Sequence, residues 1–175
     1  MKNIVLTGFM ASGKTVIGKK ISKLTGYKFI DMDLMIEEKE GKSINDIFAL
    51  SGEKYFRDLE SLTAIECANL SKCVISCGGG VVLRKENINN LRKNGIIFNL
   101  NPTEEVIKKR LSSAAETRPL LKKDDIQDAL DRFEKRKPFY DNCDFKIQID
   151  TNTTIEFAAK EIIEIYSNFQ KNGGI

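Results

Sequence analysis

The sequence contains no histidine and no tryptophan in its 175 residues. Without histidine, the chain cannot form a Ser-His-Asp triad, a histidine metal site or a histidine general base. Any catalysis must therefore depend on carboxylates, lysine and arginine.

Cysteine is also sparse, and none of the four cysteines belongs to a CxxC pair. Without histidine partners, a zinc site would need all four to converge. Cys73 and Cys77 lie an even number of residues apart in an apolar segment, so as strand residues they face the same side. We expect reduced thiols that pack as small apolar groups.

Long apolar runs and blocks of like charge are missing as well. No stretch approaches the roughly 20 apolar residues of a membrane span, and Met1 leads into the first strand pattern without a signal peptide. The 28 basic and 25 acidic residues are mixed along the chain and give a net charge of +3. This pattern argues against nucleic-acid and membrane binders. We expect one cytoplasmic, monomeric domain over residues 1–175 that binds an anionic small molecule.

What the chain does contain is a complete phosphate-binding loop. Residues 8–15 read Gly-Phe-Met-Ala-Ser-Gly-Lys-Thr, which matches G-x-x-x-x-G-K-[ST]. An apolar run precedes the loop and apolar residues at helical spacing follow it, so the required strand and helix are both predicted. The backbone N–H groups would face phosphate, Lys14 adds a cation, and Thr15 offers a hydroxyl to magnesium. The sequence therefore predicts binding of a nucleoside triphosphate with magnesium.

Short apolar runs alternate with amphipathic stretches along the rest of the chain, which predicts a parallel α/β sheet. The strand candidates are residues 4–6, 28–30, 73–76, 95–100 and 145–149.

Several helix ends can be predicted from local motifs. Asn101-Pro102 predicts a helix start with proline at its first position, and Thr153-x-x-Glu156 predicts a capping box. Ser43-x-x-Asp46 starts another helix, which we expect to end at residues 51–52.

Residues 112–123 interrupt the alternation with small polar residues followed by Arg118-Pro119. Proline disfavours helix at the residue before it. The position suggests a mobile lid that closes over the reacting phosphates and excludes water. An ordinary surface loop is the alternative, because its composition would be the same.

Two aspartates, Asp31 and Asp33, lie at the carboxyl end of the second strand candidate, where ligands bind in open parallel sheets. One could hold magnesium through water while the other orients or deprotonates an acceptor hydroxyl. Capping of the next helix by Asp33 is the alternative interpretation.

Residues 77–80, Cys-Gly-Gly-Gly, close the third strand candidate. Such glycines suit unusual backbone dihedrals, a close approach by a ligand, or simply a tight turn. Arg57 and Arg136 each stand beside aromatic residues. Arginine reads carboxylates bidentately, although either one alone could be a solvated surface charge.

Six motifs occur in a fixed order from one end of the chain to the other: the phosphate-binding loop, Asp-x-Asp, Gly-Glu-x-x-Phe-Arg, the triple glycine, Arg-Pro-Leu-Leu and Arg-x-Pro-x-Tyr. In this combination the chain closely resembles the shikimate kinase family. The resemblance implies a three-layer α/β, P-loop, nucleoside-monophosphate-kinase-like fold. Its five parallel strands would have the order 2-3-1-4-5, with a lid at about residues 112–123. It also implies ATP-dependent phosphorylation of the 3-hydroxyl of shikimate, in the pathway to chorismate and aromatic amino acids.

The resemblance further implies roles for individual residues. Thr15 would bind magnesium directly and Asp31 through water, while Asp33 would be the base, and Lys14 and Arg118 would stabilise the transferred phosphoryl group. The residues implied for ATP are Ala11, Ser12, Gly13, Lys14, Thr15, Val16, Arg110, Arg118 and Thr153. Those implied for shikimate are Asp33, Arg57, Gly78, Gly79, Gly80 and Arg136. One departure is Ala11, which stands where the family often has glycine.

Two other classes of function remain open from the residues. One is another P-loop small-molecule kinase, with gluconate or a nucleoside monophosphate as acceptor. The other is a nucleotide-sensing module without turnover. A GTPase is disfavoured, because the chain has neither an Asp-x-x-Gly switch nor an Asn-Lys-x-Asp motif.

Overall fold

The structure of the protein is a computed structural model that describes residues 1–117 and 123–171. Within these ranges, strands and helices alternate as the sequence predicts, and all five strand candidates form strands. The strands are β1 (Asn3–Gly8), β2 (Lys28–Asp31), β3 (Cys73–Ser76), β4 (Gly95–Pro102) and β5 (Phe145–Ile149). The helices are α1 (Lys14–Thr25), α2 (Met32–Glu40), α3 (Ile44–Ala68), α4 (Lys85–Lys93), α5 (Glu104–Thr117), α6 (Lys123–Tyr140) and α7 (Ile155–Lys171).

The strands form one parallel sheet in the order β2-β3-β1-β4-β5, as the family resemblance implied. Strand β1 lies at the centre, where Ile4 pairs with Val74 of β3 and with Ile96 of β4. Parallel neighbours need crossover connections, and helices supply them on both faces. The result is the three-layer P-loop kinase fold.

Strict alternation along the buried strands supplies two apolar layers. Ile4 and Leu6 of β1 face one layer, with α1 and α7, whereas Val5 faces the other, with α3 and α4. Cys73 and Cys77 both belong to this second layer and carry free thiols, as the sequence predicted. No helix in the described residues is both long and apolar enough to cross a membrane.

Helix α3 is interrupted at Gly52. The Ser43 hydroxyl caps its start by accepting a hydrogen bond from the Asp46 amide at 3.1 Å, as predicted. Gly52 has a φ of 81°, outside the helical region, and the helix resumes after it. The prediction that the first helical segment ends at residues 51–52 is therefore confirmed, and a second helical segment follows Gly52.

Two other predictions about helix starts, and the alternative interpretation of Asp33 as a helix cap, were wrong by one or two residues. Pro102 ends β4 instead of starting α5, because β4 pairs with β5 as far as Pro102 and Ile149. The Thr154 hydroxyl, not that of Thr153, accepts the Phe157 amide at the start of α7. Asp31, not Asp33, caps α2. The end of the preceding strand determines which side chain can accept from the free N–H groups in the first turn of the helix. The local sequence does not show where that strand ends.

The expected irregular segment at 112–123 was wrong in its first part, because α5 continues to Thr117. Good helix formers such as alanine and glutamate at 114–116 account for this continuation. The remaining part, residues 118–122, lies outside the described residues.

The buried side chain of Asn3 ties the start of β1 to the segment that precedes β3. Its Nδ2 donates to the Leu70 carbonyl at 2.7 Å, and its Oδ1 accepts from the Cys73 amide at 3.0 Å. We expect Asn3→Ala to lower the free energy of unfolding by about 1 to 3 kcal/mol, because the buried Cys73 amide loses its partner, whereas the Leu70 carbonyl still accepts from Asn94 Nδ2. Urea unfolding measures the change. Asn90→Ala, which removes a single hydrogen bond from Lys93, is the control, and an equal loss in both variants would contradict the prediction.

Candidate active site

The phosphate-binding loop connects β1 to α1 at the carboxyl edge of the sheet. Gly13, immediately before α1, has a φ of 99°, in the region that favours glycine. Ala11 has a φ of 60°, so this alanine adopts the left-handed backbone conformation that glycine adopts more easily. The Arg110 Nη1 atom donates to the Ala11 carbonyl at 2.7 Å and holds the loop from α5.

Lys14 folds back over its own loop. Its Nζ donates to the carbonyl oxygens of Gly8 and Phe9, at 2.8 and 2.9 Å. Burial lowers the pKa of Lys14 to about 8, although the negative charge of Asp33 opposes the shift. The ammonium group is therefore held at the loop with little solvent around it, ready to exchange carbonyl partners for phosphate oxygens.

Thr15 and Asp31 meet beside this loop. The Thr15 hydroxyl lies 3.2 Å from Oδ2 of Asp31, while Oδ1 of Asp31 accepts the amide of Asp33 at 3.1 Å. A hydroxyl and a carboxylate are the hard oxygen ligands that magnesium prefers. No cluster of three or more acidic, cysteine or histidine side chains that could hold a metal occurs in the described part of the chain. The pair therefore suits a magnesium ion that takes its other ligands from phosphates and water.

Asp33 lies in the first turn of α2 and faces the glycine turn. Burial raises its pKa to about 6; the neighbouring charge of Asp31 adds to the shift, and Lys14 opposes it. A carboxylate with a pKa near neutrality, close to the phosphate-binding lysine, suits an acceptor of a hydroxyl proton.

Within residues 78–80, close packing requires glycine at positions 78 and 80, and unusual dihedrals do not. None of the three is among the residues with positive φ, so of the explanations that the sequence left open, unusual backbone dihedrals are wrong. A Cβ on Gly78 would lie 2.5 Å from Oδ1 of Asp33 and 3.0 Å from Oε1 of Glu60. A Cβ on Gly80 would enter the guanidinium of Arg57, well inside the 3.0 Å that real Cβ atoms keep. The turn therefore lets three charged side chains converge.

Arg57 is held in place by carboxylates and aromatic rings. Its Nη1 donates to Oε2 of Glu60 at 2.6 Å and its Nη2 to Oε1 of Glu53 at 2.9 Å. The guanidinium also lies over Phe48 and Phe56, with its carbon 5.9 and 5.4 Å from the ring centroids. Burial opposes the charged form of Arg57, but its bonds to Glu60 and Glu53 outweigh burial and raise its pKa.

Arg136 approaches the same region from α6. It is half-buried one helical turn before Tyr140, whose hydroxyl donates to the Gly79 carbonyl at 2.6 Å. Burial raises the pKa of Tyr140 to about 12, and the charge of Arg136 opposes the shift. Arg136 also pulls down the pKa of Glu60, which burial raises. The structure thus brings Arg57, Arg136 and the glycine turn into one electrostatic neighbourhood.

The other implied ATP residues are less closely joined. Ser12 is buried in the loop, whereas the side chain of Val16 is exposed. Thr153 lies in the turn after β5, where its hydroxyl donates to Asp150 at 2.7 Å. No hydrogen bond within the described residues connects Thr153 to the phosphate-binding loop, and Arg118 lies outside those residues.

Three residues of this neighbourhood were missed in the sequence. Glu60 has an almost fully buried carboxylate, with 2% of its side chain exposed. It follows Arg57 by three residues on one helix face, which is the signal that could have identified it. Tyr140 was noticed only as part of a motif. Arg84 donates to the Arg57 carbonyl and to the Ser61 hydroxyl, both at 3.0 Å, and no local pattern indicated it.

Comparisons with known proteins agree on one family. The family model described as shikimate kinase matches residues 10–167. A shikimate kinase of Caldicellulosiruptor bescii is 47% identical over 167 residues, covering 95% of this chain and 96% of that protein.

Two solved structures are also similar along nearly their whole length. A shikimate kinase from Bacteroides thetaiotaomicron superposes with a TM-score of 0.85 at 32% identity, covering 95% of this chain and 98% of the other. A shikimate kinase from Acinetobacter baumannii in complex with shikimate has a TM-score of 0.81 at 30% identity, covering 98% and 94%.

The glycine turn gives a direct test of this packing. We expect Gly80→Ala to lower the free energy of unfolding by about 2 to 3 kcal/mol, because the new Cβ pushes Arg57 away from buried Glu60. Gly79→Ala is the matched control: its Cβ would meet only the Met10 amide nitrogen at 3.6 Å and the Gly8 carbonyl at 3.9 Å, in ordinary contact. Denaturant unfolding of the unliganded variants decides. Equal stabilities of Gly80→Ala and Gly79→Ala would contradict the prediction, because they would show that the Arg57 side chain moves away without a loss of stability.

Proposed function

The chain belongs to the shikimate kinase family and phosphorylates shikimate with ATP, and we propose that Asp33 is the base that accepts the proton of the 3-hydroxyl. One observation carries the proposal. The carboxylate of Asp33 faces the glycine turn, and both Lys14 and Arg57 lower its pKa against the effect of burial. It is therefore close to the phosphate-binding cation and to the cation of the acceptor site.

In this proposal the acceptor is oriented by its carboxylate. Arg57 and Arg136 bind the carboxylate of shikimate, and the main-chain N–H of Gly79 donates a third hydrogen bond. Gly78 and Gly80 leave the space that this arrangement needs. The convergence of two arginines on one glycine turn supports this role, because a cyclic acid with several hydroxyls offers one anionic end and one reactive end.

ATP is bound by the phosphate-binding loop. The backbone of residues 11–16 surrounds the phosphates, Lys14 stabilises the charge that develops on the transferred group, and Arg110 lies beside the nucleotide. Roles for Arg118 and Thr153 at the nucleotide stay predictions. Phosphoryl transfer requires mainly positioning and charge stabilisation, so these residues can act without histidine.

We propose that Thr15 holds magnesium directly and that Asp31 holds it through water. When bound, the ion neutralises charge on the phosphates of ATP. The hydrogen bond between the two side chains places both oxygen donors beside the loop, which supports the assignment.

All these side chains come from a single chain, which supports the further proposal that the protein acts as a monomer. Its location in the cytoplasm stays a prediction. The alternative acceptors, gluconate and nucleoside monophosphates, are not favoured by the family assignment.

A coupled ADP-release assay tests the function. With magnesium and ATP, we expect shikimate to stimulate release strongly and quinate, gluconate and AMP to have little effect. Stimulation by a different acceptor would support kinase activity but contradict the assignment of shikimate as the substrate. ATP binding without stimulation by any acceptor would instead support the sensing module.

Replacing Asp33 by asparagine should separate activity from stability. We expect kcat to fall by about 100-fold or more, because a positioned general base contributes about that much.

The raised pKa of Asp33 has a second consequence, for stability. Because folding raises the pKa of Asp33, the stability that its protonated carboxyl contributes is fully present below pH 3.8, the ordinary pKa of aspartate. This contribution is lost as the pH rises through about 6.

Asp33→Asn should therefore be more stable than the wild type at pH 8, by about 1 to 3 kcal/mol, and equally stable below pH 4. Thermal unfolding at both pH values checks this. A variant that is inactive and less stable at pH 8 would contradict the prediction.

The same two pKa shifts predict the pH dependence of the wild type. We expect kcat/KM for shikimate to fall below pH about 6, as Asp33 becomes protonated. We expect kcat/KM for ATP to fall above pH about 8, as Lys14 loses its charge. Initial rates from pH 5 to 9 at subsaturating substrate measure both limbs. An acidic limb that persists in the residual activity of Asp33→Asn would assign it to another group.

A further inference from the structure

The main-chain conformation at Gly79 depends on hydrogen bonds from other residues. A glycine has no Cβ to restrict its dihedrals, so the two peptide groups beside it can rotate easily. The peptide group before Gly79 is fixed where the Val81 amide donates to the Gly78 carbonyl at 3.2 Å. The peptide group after Gly79 is fixed by the Tyr140 hydroxyl, which donates to the Gly79 carbonyl at 2.6 Å. Tyr140 therefore supplies one of the two restraints on this residue.

Tyr140 is well suited to hold that carbonyl. Its side chain is almost fully buried, with 4% exposed, and it belongs to the apolar layer that contains Phe133 and Val81. Burial raises the pKa of the phenol to about 12, so the hydroxyl keeps its proton and remains a donor at neutral pH. The ring position is determined by packing, and the hydroxyl transmits that position to the turn.

The same residue also relates the turn to α6. Arg136 precedes Tyr140 by one helical turn, so the two side chains lie on one face of α6. Tyr140 ends the helix and is bonded to Gly79, which fixes the helix end against the glycine turn. The spacing between the Arg136 guanidinium and the Gly79 main chain therefore depends on this contact.

We propose that Tyr140 is a positioning residue for the carboxylate of the acceptor. By holding the Gly79 carbonyl, it sets the main chain of the turn in fixed relation to Arg136, so that both can bind one carboxylate. The inference rests on the proposed function, because it requires the acceptor carboxylate to lie between these groups. Tyr140 itself does not touch the acceptor.

Tyr140→Phe tests the proposal, because it keeps the buried ring and removes the hydroxyl. We expect the KM for shikimate to rise about tenfold, the loss of one well-placed hydrogen bond. The KM for ATP and kcat should change less than twofold. Tyr27→Phe is the matched control: its hydroxyl pairs with that of Tyr166 at 3.1 Å between α1 and α7, away from the glycine turn, and both KM values should stay unchanged.

The methyl ester of shikimate distinguishes the proposed role from a general structural one. A general structural role of Tyr140 would not change the preference of the enzyme for shikimate over this ester. The ester lacks the anionic carboxylate, so Tyr140→Phe should alter its kcat/KM less than twofold. The preference for shikimate over the ester should thus fall about tenfold in the variant. Equal losses for shikimate and ester, or a loss of ATP binding together with shikimate binding, would overturn the proposal in favour of a general structural role.

Two further outcomes separate this proposal from the function on which it rests. Shikimate-dependent ADP release by the wild type, with an unchanged shikimate KM in Tyr140→Phe, would overturn the role of Tyr140 alone. Absence of shikimate-dependent release in the wild type would overturn the function and the role of Tyr140 together.

Discussion

The acceptor half of the site depends on the buried ion pair between Arg57 and Glu60. Burying two charges is costly unless their geometry is good and the remaining polar atoms are satisfied. Here Oε1 of Glu60 has no hydrogen-bond partner in the described residues, and Oε2 carries the bond to Arg57. Such an arrangement contributes little to stability, but it fixes a guanidinium where a flexible side chain would otherwise move. The contacts with Phe48 and Phe56 and the absence of a side chain at Gly80 both serve that one placement.

Lys14 of the donor half and Asp33 of the acceptor half show the same conflict between stability and binding. Lys14 and Asp33 are both half-buried, and burial moves both pKa values toward neutrality, down for the lysine and up for the carboxyl. Each charge partly compensates the effect of burial on the other. Lys14 uses carbonyl oxygens of its own loop as temporary partners. Phosphate oxygens are stronger acceptors for an ammonium group, so the nucleotide can replace those carbonyls at a gain.

How much the sequence could predict depends on the range of each interaction. The phosphate-binding loop was predictable because its strand, glycines, Lys14 and Thr15 are contiguous. Short apolar runs predicted all five strands, and the ordered motifs gave the sheet order through the family resemblance. Helix starts were displaced by a residue or two, as with Thr153 and Thr154, because neighbouring residues have equal capping ability and the preceding strand decides which one is used. Glu60 could have been found from its i,i+3 spacing to Arg57, whereas Tyr140 could not be assigned, since its role comes from its contact with a turn distant from it in sequence.

Strand register explains how these separate motifs come to form one site. Leu6 of β1 and Asp31 of β2 both pair with Ser76 of β3, so the three strands are level at their carboxyl ends. The phosphate-binding loop, the aspartates and the glycine turn therefore all begin within two residues of that level. The order β2-β3-β1 then places the glycine turn between the loop that binds the donor and the aspartate that meets the acceptor. A slip of one residue in β3 would turn Cys73 and Cys77 out of the core and move the turn away from Asp33. The apolar pattern of the strands thus determines the catalytic geometry as well as the core.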